Sequence, residues 1–173
     1  SMLSYGASFA DFDNDGFLDL YVANVGENVL YKNLNGKKFV DVTIKYGAEL
    51  SGYCTGTATG DIDNDGDVDL YSANYTNGSS VLFVNTIDDK NFITIDIKGT
   101  ISNRDAIGTK VWLYSAGHAE DKNYLLGFRE INVGNSYGSR SSTLVHFGVN
   151  ANRAYDIVIF FPASGIKKVL TDI

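Results

Sequence analysis

The stretch Asp11-Phe12-Asp13-Asn14-Asp15-Gly16-Phe17-Leu18-Asp19 places four carboxylates at positions 1, 3, 5 and 9 of a nine-residue segment, and Asp61-Ile62-Asp63-Asn64-Asp65-Gly66-Asp67-Val68-Asp69 repeats the spacing. Carboxylates about 4 Å apart repel one another by about 1 kcal/mol per pair even in water. A folded chain that gathers them twice needs something cationic to neutralise them. Side-chain oxygens at these positions, with a backbone carbonyl at position 7, suit a hard cation that takes about six to eight oxygen ligands. Glycine at position 6 (Gly16, Gly66) permits the turn that closes the loop. The spacing therefore predicts two calcium ions, one per loop. The expected ligands are Asp11, Asp13, Asp15, Phe17 and Asp19, then Asp61, Asp63, Asp65, Asp67 and Asp69. Phe17 and Asp67 would serve through their backbone carbonyls, with the Asp67 side chain pointing outward to tune affinity. Magnesium keeps its waters and suits such a cage less well. The plain alternative is a solvated Asp- and Gly-rich turn, and the duplicated spacing favours the ion.

The rest of the composition fits that reading. The 173 residues carry a net charge of −7, divided as −9 over residues 1–90 and +2 over residues 91–173. Nine of the acids lie inside the two loops, so the acidity belongs to the sites. There is no basic stripe, which argues against a nucleic-acid partner. Eighteen glycines, one proline and 13% aromatics favour strands joined by tight turns. A single cysteine, Cys54, excludes an intramolecular disulfide and is expected to be a buried, inert thiol. No apolar run is long enough to span a membrane and no signal-peptide pattern is visible. The calcium requirement points to an extracellular or periplasmic setting.

The elements that must position the loops form an internal repeat. Gly6 matches Gly56, Asp19-Leu20-Tyr21-Val22-Ala23-Asn24 matches Asp69-Leu70-Tyr71-Ser72-Ala73-Asn74, and Val29-Leu30-Tyr31-Lys32-Asn33 matches Val81-Leu82-Phe83-Val84-Asn85. Each repeat reads as four short strands, in the first at 6–12, 18–23, 29–33 and 38–43, with Asn35-Gly36 as a hairpin signal. An EF-hand needs a bidentate Glu at position 12; here that position is Val22 or Ser72.

These residues resemble FG-GAP/VCBS repeats, over about 4–45 and 52–90 within a first domain of 1–90. The resemblance implies calcium-bearing blades of a β-propeller, with a structural ion and ligand recognition elsewhere. A closed ring needs at least about four blades, so two leave sheet edges to be covered. A longer protein, an oligomer, or the remainder of the chain could cover them.

From Asn91 the character changes. Strands are expected at 92–98, 108–114, 129–133, 143–147 and 155–161, with no sustained helical periodicity. Asn103-Arg104-Asp105-Ala106-Ile107-Gly108, His146-Phe147-Gly148 and Phe161-Pro162-Ala163-Ser164-Gly165 resemble the ASPIC/UnbV domain over 91–173, although that family's usual Trp-Pro-Ser-Gly lacks its Trp here. The fold class expected is all-β: two four-stranded propeller-blade-like repeats, an incomplete propeller, followed by a small antiparallel β-sandwich-like domain.

Other candidate residues carry less. His146 reads as a hydrogen-bonded structural histidine, His118 as a loop residue, Arg140 as a soluble loop residue, and Arg104 with Asp105 as a turn fixed by their own hydrogen bonds. Asn74-Tyr75-Thr76 and Asn77-Gly78-Ser79 fit the N-glycosylation pattern, which chance explains. Tyr75 is the candidate stacking surface for a carbohydrate ring. No nucleophile–base set stands out. The sequence therefore points to a non-enzymatic calcium-binding module for extracellular recognition or adhesion, with an unknown protein or carbohydrate ligand. The alternatives are a calcium-dependent polysaccharide lyase or glycosidase, and a structural module that oligomerises through its open blades.

Overall fold

A computed structural model describes residues 3–75, 78–87, 91–101, 103–132, 134 and 136–173. Among the described residues the chain is all-β apart from one short 3₁₀ turn, Lys122–Tyr124. Its strands are β1 Leu3–Ala10, β2 Asp19–Glu27, β3 Val29–Leu34, β4 Lys38–Asp41, β5 Ser51–Gly60, β6 Asp69–Asn74, β7 Val81–Phe83, β8 Phe92–Ile95, β9 Lys110–Ser115, β10 Leu125–Glu130, β11 Val145–Gly148, β12 Tyr155–Phe161 and β13 Ile166–Leu170. Two compact units result: residues 1–90 with 133–142, and residues 91–132 with 143–173.

In the first unit the strands run in the order β4-β3-β2-β5-β6-β7, and β1 pairs with β2. Each acidic loop joins two adjacent antiparallel strands, β1 to β2 and β5 to β6. Alternation along the strands decides which side chains go inside. Tyr21 and Leu30, opposite each other on β2 and β3, are buried with Leu70 of the second repeat and Ala48. Phe12, Val42 and Phe83 pack around them. A fully buried leucine such as Leu70 contributes about 1.5–3 kcal/mol by leaving water. Asn28 donates to the Tyr21 hydroxyl at 2.9 Å, so the buried phenol has a partner. The hairpin at Asn35-Gly36 forms as expected, both residues taking positive φ (54° and 69°). Among the described residues the second repeat has three strands where four were expected. The chain leaves β7 and next forms β8, which pairs with β11.

The segment 136–142 packs with the first unit. Its serines substitute for strand pairing. Thr57 and Thr59 donate their backbone N–H groups to the Ser136 and Ser141 hydroxyls, each at 3.1 Å, and the Ser142 N–H donates to the Thr59 carbonyl at 2.8 Å. A Cβ at Gly56 would lie 2.9 Å from the Tyr137 carbonyl oxygen, so glycine is what allows the approach. Sequence patterning missed this strap because several of its bonds to β5 are made by serine hydroxyls, which leave no apolar alternation.

The second unit contains a sheet in the order β10-β9-β12-β13 and the pair β11-β8. Val111 and Leu113 of β9 stand opposite Ile159 and Ile157 of β12, and all four are buried with Val145 and Phe147 of β11. This is the sandwich-like core. The third expected strand lies earlier than 129–133, at Leu125–Glu130. The edge strand β13, exposed at every residue, carried no alternation to reveal it.

Candidate metal centre

Both acidic loops fold in the same way. Asn14 and Asn64 at position 4 take positive φ (55° and 61°), and Gly16 and Gly66 follow suit at 92° and 101°. Left-handed backbone is open to Asn and Gly at little cost. The turn brings the Gly16 N–H to Asp11 Oδ2 at 3.0 Å and the Gly66 N–H to Asp61 Oδ2 at 3.2 Å. As a result Asp11, Asp13 and Asp15 bring one oxygen each to within 4.8 Å of one another, and Asp61, Asp63 and Asp65 do the same. Oδ1 of Asp13 and Oδ1 of Asp61 are buried with no hydrogen-bond partner. Buried carboxylate oxygens left without donors are costly, and three converging anionic oxygens fit a hard cation. The two triplets can each hold a metal ion.

Position 9 braces the loop. Asp19 Oδ2 accepts the Phe12 N–H at 3.2 Å and its Oδ1 accepts the Asn33 N–H at 2.8 Å. Asp69 repeats this with Ile62 at 2.7 Å and Asn85 at 2.8 Å. These two expected ligands stand outside the triplets and tie the first loop to Asn33 on β3 and the second to Asn85 just past the end of β7. Burial pushes the Asp19 carboxyl up to about 7, against its two backbone hydrogen bonds and with added repulsion from Asp11 and Asp15.

At position 7, Phe17 and Asp67 donate their N–H groups to Asp15 and Asp65, each at 3.0 Å. The expected outward side chain of Asp67 is corrected: it is buried, and its Oδ1 accepts from Asn14 Nδ2 at 2.8 Å. The two loops pack together, and this bond joins them. Sequence reading also missed Asn85, whose amide donates to the Phe12 carbonyl at 2.6 Å and the Val68 carbonyl at 3.3 Å. Its recurrence as Asn33 and Asn85 after each loop was the available signal.

Lys32 on β3 was missed too. Its ammonium contacts Asp13 and lies 2.8 Å from Asp15 Oδ2. Burial lowers the Lys32 pKa while the field of Asp11 raises it; with two carboxylates in contact, the charged form is the one that satisfies the cluster. Beside it a cavity of about 200 Å³ is lined by Phe12, Leu30, Val42, Leu70 and Phe83.

The remaining candidates take structural positions. His146 stacks on Phe92 (ring centroids 5.7 Å apart) and His118 stacks on Tyr124 (3.6 Å). The turn at 103–109 is fixed by the Asn103 side chain, which accepts from the Ile107 N–H at 2.6 Å and donates to its carbonyl at 3.1 Å. Arg104 and Asp105, both exposed, lie in the same turn, and the Arg104 carbonyl accepts from the Gly99 N–H at 3.0 Å. Arg140 is exposed on the serine strap, and Cys54 is buried. Of the two glycosylation-like patterns, Thr76 and Asn77 lie outside the described residues. Tyr75 is 78% exposed and adjoins Tyr53, which adjoins Tyr5, with centroid separations of 5.9 and 5.3 Å.

Antiparallel blade-like repeats with an acidic loop between their first two strands define an all-β repeat module with paired candidate metal sites. Residues 11–72 match the FG-GAP-like repeat family, and residues 99–173 match the family described as ASPIC and UnbV. The chain thus carries an FG-GAP-like repeat region followed by an ASPIC/UnbV domain. No curated protein matches it. Among the described residues no helix is long and apolar enough to cross a membrane.

Proposed function

We propose that this is a non-enzymatic calcium-binding module that serves recognition or adhesion in an extracellular or periplasmic setting. The observation that carries the calcium reading is the pair of matching carboxylate triplets, each with a buried, unpartnered oxygen. Asp11, Asp13 and Asp15 would hold one ion, and Asp61, Asp63 and Asp65 the other. Calcium bound there neutralises the repelling carboxylates. The role is structural: the first loop is fastened through Asp19 to Asn33 on β3 and the second through Asp69 to Asn85 just past β7, so fixing the loop fixes the blade. Millimolar extracellular calcium is the level at which such oxygen sites commonly fill.

Recognition is assigned to the opposite end of the inner strands. Tyr5 near the start of β1, Tyr53 near the start of β5 and Tyr75 just after β6 form a row of rings away from the loops. Exposed tyrosines offer an apolar face and a hydroxyl, which suits a carbohydrate ring or a protein side chain. A glycan and protein-ligand screen in calcium tests the assignment. A ligand whose binding is lost on Tyr75→Ala supports it; sustained release of unsaturated sugar from an acidic polysaccharide would instead make the protein a lyase.

The oligomerisation reading is favoured by one observation. Tyr71, Leu82 and Ile62, the repeat counterparts of Tyr21, Leu30 and Phe12, are exposed at 42%, 42% and 56%. The first blade's face is covered by the second blade, and the second blade's equivalent face is open.

A further inference from the structure

The two acidic loops share a spacing but not a setting. Val29–Asn33 on β3 corresponds to Val81–Asn85 around β7, which makes Val84 the counterpart of Lys32. Lys32 holds its ammonium against Asp13 and Asp15; Val84 is apolar and 49% exposed. The first loop has four acids, with Phe17 at position 7. The second has Asp67 there, whose buried carboxylate turns to Asn14 of the first loop and is no part of the second triplet. An ion entering the first loop must displace a tethered cation from two of its ligands and bear its repulsion, while among the described residues no lysine or arginine pairs with Asp61, Asp63 or Asp65. Calcium affinity in oxygen cages follows ligand charge, and charges within about 4 Å act strongly near a protein surface.

We propose that the loops are unequal calcium sites, with Lys32 serving as a built-in counter-ion of the first. The second loop fills at lower calcium, and the first fills only when the ion displaces the lysine. This rests on the calcium reading above. In ion-free protein the first repeat is partly neutralised by its own lysine, whereas the second depends on the ion.

The test is calorimetric calcium titration of the chelator-stripped whole chain, beside Asp13→Asn, Asp63→Asn, Lys32→Met and Lys32→Arg. Met keeps the long apolar stem of the lysine, and Arg keeps the charge. The native chain should show two affinities separated by at least about tenfold. Asp63→Asn should abolish the tighter one and Asp13→Asn the weaker. Lys32→Met should tighten the weaker site by about tenfold, leave the tighter one unchanged, and lower the melting temperature of the stripped protein; Lys32→Arg should leave the weaker site weak. Should Lys32→Met not fold, the order of filling read from the two Asp variants decides alone. Equal sites, loss of the tighter site in Asp13→Asn, or an indifferent Lys32→Met would overturn the inference while leaving the calcium reading intact. Absence of calcium binding at both loops would overturn the calcium reading, and the inference with it.

Discussion

At the residue scale, the aspartates of each loop divide between bracing it and converging on one another, and Asp11 and Asp61 do both. Asp19 and Asp69 spend both oxygens on backbone N–H groups, while the triplets converge on one another. Asn85 donates its amide to one carbonyl of each loop, Phe12 of the first and Val68 of the second. Asn85→Ala should lower stability by about 1–3 kcal/mol, because it leaves two part-buried carbonyls without their donor, measured as a shift in urea midpoint at fixed calcium. Asp19 supplies a pH signature. Its folded pKa, about 7, stands above its ordinary value of 3.8, so the folded state binds the proton more tightly than the unfolded chain. The resulting stabilisation is complete below about pH 4 and is lost as pH rises through about 7. Stripped protein should therefore lose more melting temperature between pH 5 and pH 8 than its Asp19→Asn variant does; equal losses in the two would reject this role for Asp19.

At the element scale, the blade strands were legible because both of their signals are local. Asn35-Gly36 fixes a turn by its positive φ values, and the Asp-Gly loops mark where β1 gives way to β2 and β5 to β6. The triplets were legible for the same reason, since positions 1, 3 and 5 of a tight loop converge whatever surrounds it. What escaped depends on distant packing: Asp67 turning in toward Asn14, Lys32 reaching back from β3, and the strap joining β5 from about eighty residues away. The strap covers strand backbone that would otherwise invite association. Gly56→Val should push it off, since its Cβ would meet the Tyr137 carbonyl. Trypsin should then cut after the exposed Arg140 several-fold faster than in the native chain, and an unchanged rate would argue that the strap does not protect this segment.

At the scale of the whole molecule, each unit has its own core. That of the first lies between its blades around Tyr21 and Leu70, and that of the second between a four-stranded sheet and a two-stranded pair. The first blade's apolar face is closed by the second, and the second's is left bare at Tyr71 and Leu82. If that face drives self-association, light scattering should show larger species at high concentration, and Leu82→Lys should abolish them; a monomer at every concentration would remove the oligomer reading. The central claim, that the two acidic loops are structural calcium sites, is tested most directly by calorimetric titration of the chelator-stripped chain with melting followed in parallel. The account predicts two ions bound per chain and a melting temperature that rises as they bind, since a ligand of the folded state stabilises it. No heat of binding and an unchanged melting temperature would contradict it and leave the loops as solvated turns.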